Sequence, residues 1–144
     1  MKNENGTDLQ LTEKLTVLLE AERAGVVTAK RMLSEGSSDE EGALLEEILE
    51  GERSSCRDLG RMLLQIGSRG SGNVGDFVEK VMALPDLGSR LKLLVKGQEW
   101  VVRKIEELME ESLPGGMAKE LGEIHRVHVE NIAFCRRFLE KKDR

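Results

Sequence analysis

The chain has no tyrosine, one tryptophan and three phenylalanines in 144 residues. Strands draw on aromatic and β-branched side chains, so this shortage argues against a sheet protein. It also leaves no row of rings on which bases could stack. Two cysteines, Cys56 and Cys135, are too few for a disulfide framework or a zinc knuckle, and neither belongs to a Cys-x-x-Cys pair. Each is read as a small buried hydrophobe. A surplus of positive charge is missing as well: 22 Lys and Arg face 27 Asp and Glu, interleaved, for a net charge of −5. Nucleic acid and anionic membranes are therefore not expected partners. No apolar run approaches the roughly 20 residues that span a bilayer, and no hydrophobic signal region follows Met1-Lys2-Asn3-Glu4-Asn5. The expected location is the cytoplasm. Nucleophilic triads and dinucleotide fingerprints are absent, and the glycines between 67 and 75 precede no P-loop Lys-Ser pair.

Leu, Glu, Lys, Arg, Ala and Met are plentiful, which favours helices. The length suits one domain, 1–144, able to hold a core without staples. Helices are expected over 7–34, 38–67, 86–112 and 116–141, the first near a capping Asp8 and the second near Ser38 or Asp39. Each carries an apolar stripe at alternating steps of four and three: Leu11, Leu15, Leu18, then Ala29 and Met32 in the first, and Leu45, Ile48, then Leu59, Leu63 and Ile66 in the second. Leu87, Leu91, Leu94, Val101, Ile105 and Leu108 mark the third, and Met117, Leu121, Ile124, Cys135 and Phe138 the fourth. The segment 67–86, rich in glycine and serine but with a short amphipathic stretch around Phe77, is longer than a helical hairpin needs. The expectation is an all-α four-helix bundle with one long crossover between helices 2 and 3.

Every stripe is interrupted near its midpoint: by Glu22, by Glu52, by Gln98, and by His128 with Asn131 one turn later. Midpoints of equal helices share one level, so these side chains should converge inside the bundle. Buried carboxylates need compensation. A divalent cation supplies it, and Glu oxygens with a His nitrogen suit iron, manganese or zinc. A protonated glutamate within a metal-free network supplies it too. His125 shares a face with His128 but also borders charged Glu123 and Arg126, while Gln98 and Cys56 stand near enough to join. Asn131 is placed to orient the ring of His128 or to bond Glu22 or Glu52. Trp100 lies off the stripe beside the small Gly97, a face that either the crossover with Phe77 or a second copy of the chain could cover.

The segments Leu18-Leu19-Glu20-Ala21-Glu22-Arg23-Ala24-Gly25 and Gly97-Gln98-Glu99-Trp100-Val101-Val102-Arg103-Lys104 resemble those of small bacterial proteins of the ferritin-like superfamily, and the resemblance covers nearly the whole chain. That superfamily takes one Glu from each of two helices and a Glu-x-x-His pair from each of the other two. The resemblance implies metal positions at Glu22, Glu52 and His128. Ser55 stands where a His would follow Glu52, His125 where a Glu would precede His128, and Gln98 where a further Glu would lie. What it implies is thus a reduced non-haem site, with Gln98, Asn131, Ser55 and Cys56 around the ligands. The other reading of the same residues is a non-catalytic structural or interaction module, forming a homo-oligomer through the Trp100 face.

Overall fold

The computed structural model describes residues 2–143, with side chains over 9–142. Five helices form, and no strand is found among the described residues: α1 (Lys2–Ser34), α2 (Asp39–Gln65), α3 (Phe77–Met82), α4 (Leu87–Met109) and α5 (Met117–Asp143). Local chemistry sets three of the ends. The Ser38 hydroxyl accepts from Glu41 N at 3.2 Å ahead of an acidic first turn, Asp39, Glu40 and Glu41. The Asp86 carboxylate accepts from Ser89 N at 2.8 Å to start α4. Behind α2, Gly67 turns left-handed at φ 84° while Ser68 N returns to Leu63 O at 2.8 Å, closing the orphaned carbonyls of the last turn.

One boundary is corrected outright. Helix α1 begins at Lys2 and not near residues 7–8, because no proline stands among the first residues to stop it and Gly6 is only a weak breaker. The Asp8 side chain, expected to cap it, lies outside the described residues. The other ends move by three residues or fewer.

Helix α1 packs on α2 and α4, and α5 packs on the same two. Ion pairs give the directions. Lys14 meets Glu111 and Arg90 meets Glu35, so α1 and α4 run antiparallel. Arg61 meets Glu120 and Lys142 meets Glu41, so α2 and α5 do as well. Parallel α2 and α4 cannot be joined by a tight turn, and the expected crossover is what joins them. It runs along the groove between α1 and α4, and its single short helix, α3, packs on both. No helix among the described residues is long and apolar enough to cross a membrane.

The core is split into two apolar clusters. One gathers Leu15, Leu18, Leu59, Leu63, Ile105 and Leu121, the other Ala29, Met32, Leu45, Ile48, Leu91 and Cys135. Each of the four long helices contributes to both clusters on the same stripe, and α3 to the second alone. Between them, at the middle of every long helix, lie the buried polar side chains Glu22, Glu52, Ser55, Gln98, His128 and Asn131. Free Cys56 packs on the first cluster and free Cys135 belongs to the second, on opposite sides of that layer.

Candidate metal centre

His128 is anchored by its own helix. Its Nδ1 lies 2.8 Å from the carbonyl of Ile124, one turn earlier. A carbonyl only accepts, so Nδ1 carries the proton and donates it. Nε2 is then either the second N–H of an imidazolium or a free lone pair, and it faces acids on both neighbouring sides. Glu22 Oε1 and Oε2 stand 3.0 and 2.9 Å away, and Glu52 Oε1 stands 3.8 Å away. One donor atom each from Glu22, Glu52 and His128 fits within a mutual span of 4.8 Å, and all three residues are buried.

Two glycines make room for this. A Cβ on Gly25 would sit 2.6 Å from Glu52 Oε2, so the notch that α1 offers there is filled by the carboxylate of α2. A Cβ on Gly51 would sit 2.7 Å from Asn131 Nδ2, which brings α2 and α5 together one turn from His128. Asn131 was expected to orient the imidazole or to bond Glu22 or Glu52. The Ile124 carbonyl holds the imidazole, and the Asn131 amide lies against the Gly51 backbone.

The electrostatics follow from burial. Burial, reinforced by the charge of Glu22 and opposed by that of His128, holds the Glu52 carboxyl well above the usual carboxylate range. For His128, burial disfavours the charged ring, but the charge and hydrogen bond of Glu22, then Glu52, outweigh it and push the ring up to about 10. Not every polar atom is satisfied. Glu52 Oε2 and both amide atoms of Gln98 are buried without a partner, and Glu22 Oε2 has only the His128 Nε2 that Oε1 also faces. Each unpartnered atom costs about 1–3 kcal/mol. All four belong to side chains of this one layer.

The other candidates separate clearly. His125 is not part of the cluster: its Nε2 pairs with Glu106 Oε2 at 2.9 Å on the surface between α4 and α5. Ser55 is buried on α2 one turn beyond Glu52. Cys56 is half-buried and lines a groove with Arg23, Arg53 and Arg57, its thiol pushed up to about 12 by burial and by the charges of Glu22 and Glu52.

The crossover adds a feature that periodicity does not show. A cavity of about 290 Å³ opens beneath residues 73–77 and reaches Glu22, Glu52 and Gln98. Phe77 and Trp100 line it. Phe77 fills the notch at Gly97, where a Cβ would lie 3.2 Å from its ring. Ser71 donates to Glu20 Oε2 at 2.9 Å and ties the crossover to α1. The Trp100 ring packs on the first apolar cluster, with Lys104 Nζ 5.8 Å from its centroid.

The donor set fits a cation. Donors sharing an ion at roughly 2.0–2.2 Å each stand about 3–3.5 Å apart. The spacing of Glu22 and His128 already meets this, and Glu52, 3.8 Å from Nε2, comes close. Two carboxylates and an imidazole suit iron, manganese or zinc. Compared with known proteins, residues 10–137 match the family model described as a domain of unknown function, DUF6306. No curated protein and no solved structure matches the chain.

Proposed function

The chain belongs to this family of unknown function, and from its own residues we propose that it is a ferritin-like four-helix bundle holding one divalent non-haem metal ion on Glu22, Glu52 and His128. The observation that carries this reading is the convergence of two buried carboxylates and an imidazole, one donor atom each within 4.8 Å. Glu22 Oε2 has only His128 Nε2, 2.9 Å away and already faced by Oε1, and Glu52 Oε2 finds no donor besides a proton shared with Glu22. A divalent ion answers both carboxylates at once and takes the lone pair that the Ile124 bond leaves on Nε2. Such an ion would supply Lewis-acid or one-electron chemistry. The chain's own part is to fix three donors on three helices, keep bulk water out with the two apolar clusters, and leave one approach along the cavity under residues 73–77.

A second reading has one observation in its favour. The close approach of His128 to Glu22 resembles a self-contained ion pair, which would make the layer a metal-free network in a structural or interaction module. That network, with Glu52 protonated toward Glu22, still leaves both amide atoms of Gln98 unanswered.

Metal analysis of protein purified without chelator separates the two. The metal reading expects one ion per chain, lost in Glu22→Ala and in His128→Ala. It also expects stability to rise on repletion, by about 2.7 kcal/mol when the free metal is a hundred times its Kd. Metal-free protein that melts cooperatively and is unmoved by iron, manganese or zinc would leave the structural module standing.

A further inference from the structure

We infer that Gln98 supplies a fourth, uncharged donor to this ion, so that the centre is matched to a divalent cation and disfavours a trivalent one. The inference rests on the metal-binding reading above.

Gln98 is the least explained residue of the core. It is 3% exposed, and neither its amide oxygen nor its amide nitrogen has a partner. Its neighbours on the α4 stripe, Leu91, Leu94, Val101 and Ile105, are apolar and buried. An aliphatic side chain at position 98 would therefore continue the stripe without desolvating an amide. The amide stands in the same layer as the two glutamate carboxylates and borders the same cavity as Glu22 and Glu52. A rotation of the carboxamide exchanges its two ends at no steric cost, so the oxygen can face the ion. The nitrogen can then donate to a carboxylate oxygen that the ion leaves free.

Charge balance sets the preference. Glu22 and Glu52 contribute two negative charges, while His128 with its proton held on Nδ1 by Ile124, and Gln98, contribute none. A divalent ion neutralises that set. A trivalent ion leaves one positive charge buried between two apolar clusters. The nearest further acid along the cavity, Glu20, is only half-buried and already accepts from Ser71. A glutamate at position 98 would supply the missing charge, and this chain carries the amide in its place.

The test uses redox-inert probes on the full chain: zinc(II), and gallium(III) delivered as its nitrilotriacetate complex, each followed by equilibrium dialysis with elemental analysis. Gln98→Leu is expected to weaken zinc(II) by roughly 10- to 100-fold. Gln98→Glu is expected to shift the gallium(III)-to-zinc(II) affinity ratio at least tenfold toward gallium(III). Melting of each variant without metal confirms the fold, and Gln98→Glu, close in shape to the native residue, carries the charge comparison if Gln98→Leu folds poorly. Wild-type zinc(II) affinity in Gln98→Leu, or an unchanged ratio in Gln98→Glu, overturns the role of Gln98 while leaving the three-residue site intact. Wild-type protein that binds no zinc(II), iron(II) or manganese(II) overturns the metal reading itself.

Discussion

Replacing Gly25 by alanine tests the core geometry in a single atom. In an ordinary helix interior, glycine to alanine gains about 1 kcal/mol. Here the new Cβ would sit 2.6 Å from Oε2 and 2.7 Å from Cδ of Glu52, so the buried carboxylate must leave its place and swing toward the cavity it borders. Overpacking of this kind costs about 1–3 kcal/mol. The propensity gain offsets part of that, so Gly25→Ala should range from neutral to about 2 kcal/mol less stable. In a Glu52→Ala background the obstruction is gone, and the same substitution should stabilise by about 1 kcal/mol. The double-mutant cycle in urea should therefore show a coupling of about 1–3 kcal/mol between positions 25 and 52. Zinc(II) dialysis should show a drop of about tenfold or more in Gly25→Ala, since the displaced carboxylate is one of the three proposed ligands. Equal stabilisation in both backgrounds, with zinc(II) affinity intact, would refute the placement of Glu52 in the Gly25 notch and with it the ligand set.

Two further outcomes follow from protonation. Without metal, His128 holds its proton up to about pH 10 and Glu52 holds one well above the usual carboxylate range, whereas ligands must be unprotonated. Zinc(II) uptake at pH 7 should therefore release protons, measurable by calorimetry in buffers of differing ionisation enthalpy, and apparent affinity should climb with pH toward 10; uptake without proton release would contradict the buried cluster. The thiols of Cys56 and Cys135, pushed up to about 12 and about 11 by burial, should react with Ellman's reagent slowly at pH 8 and faster as pH rises. Because they sit in different apolar clusters, oxidation of the monomer should give no intramolecular disulfide.

How much of this was readable beforehand differs by residue. The four-three stripes place Leu15, Leu59, Ile105 and Leu121 in one core and the four mid-helix intruders at one level, and each of these is buried as expected. Periodicity works there because it reports which side of a helix faces inward. It does not say what lies opposite. His125 and His128 are three residues apart on α5, and only the neighbouring helices decide that one meets Glu106 and the other Glu22. The neighbour of Asn131 is likewise decided from across the interface, where Gly51 of α2 comes close to its amide. Gly25 and Gly51 carry a signal that could have been used: a glycine on the inner stripe of a long helix asks for something bulky across from it. The extra turns of α1 left no such trace, because helix starts without a described cap are set by weak local preferences.

The connection between α2 and α4 does more than satisfy topology. Because it lies over the groove between α1 and α4 and plugs Gly97 with a phenyl ring, the interior can be reached by loosening some twenty residues while the long helices stay packed. The free energy of such a local opening is a fraction of that of global unfolding. A solute inside can thus trade with the outside on the timescale of a strap, far sooner than the scaffold itself comes apart.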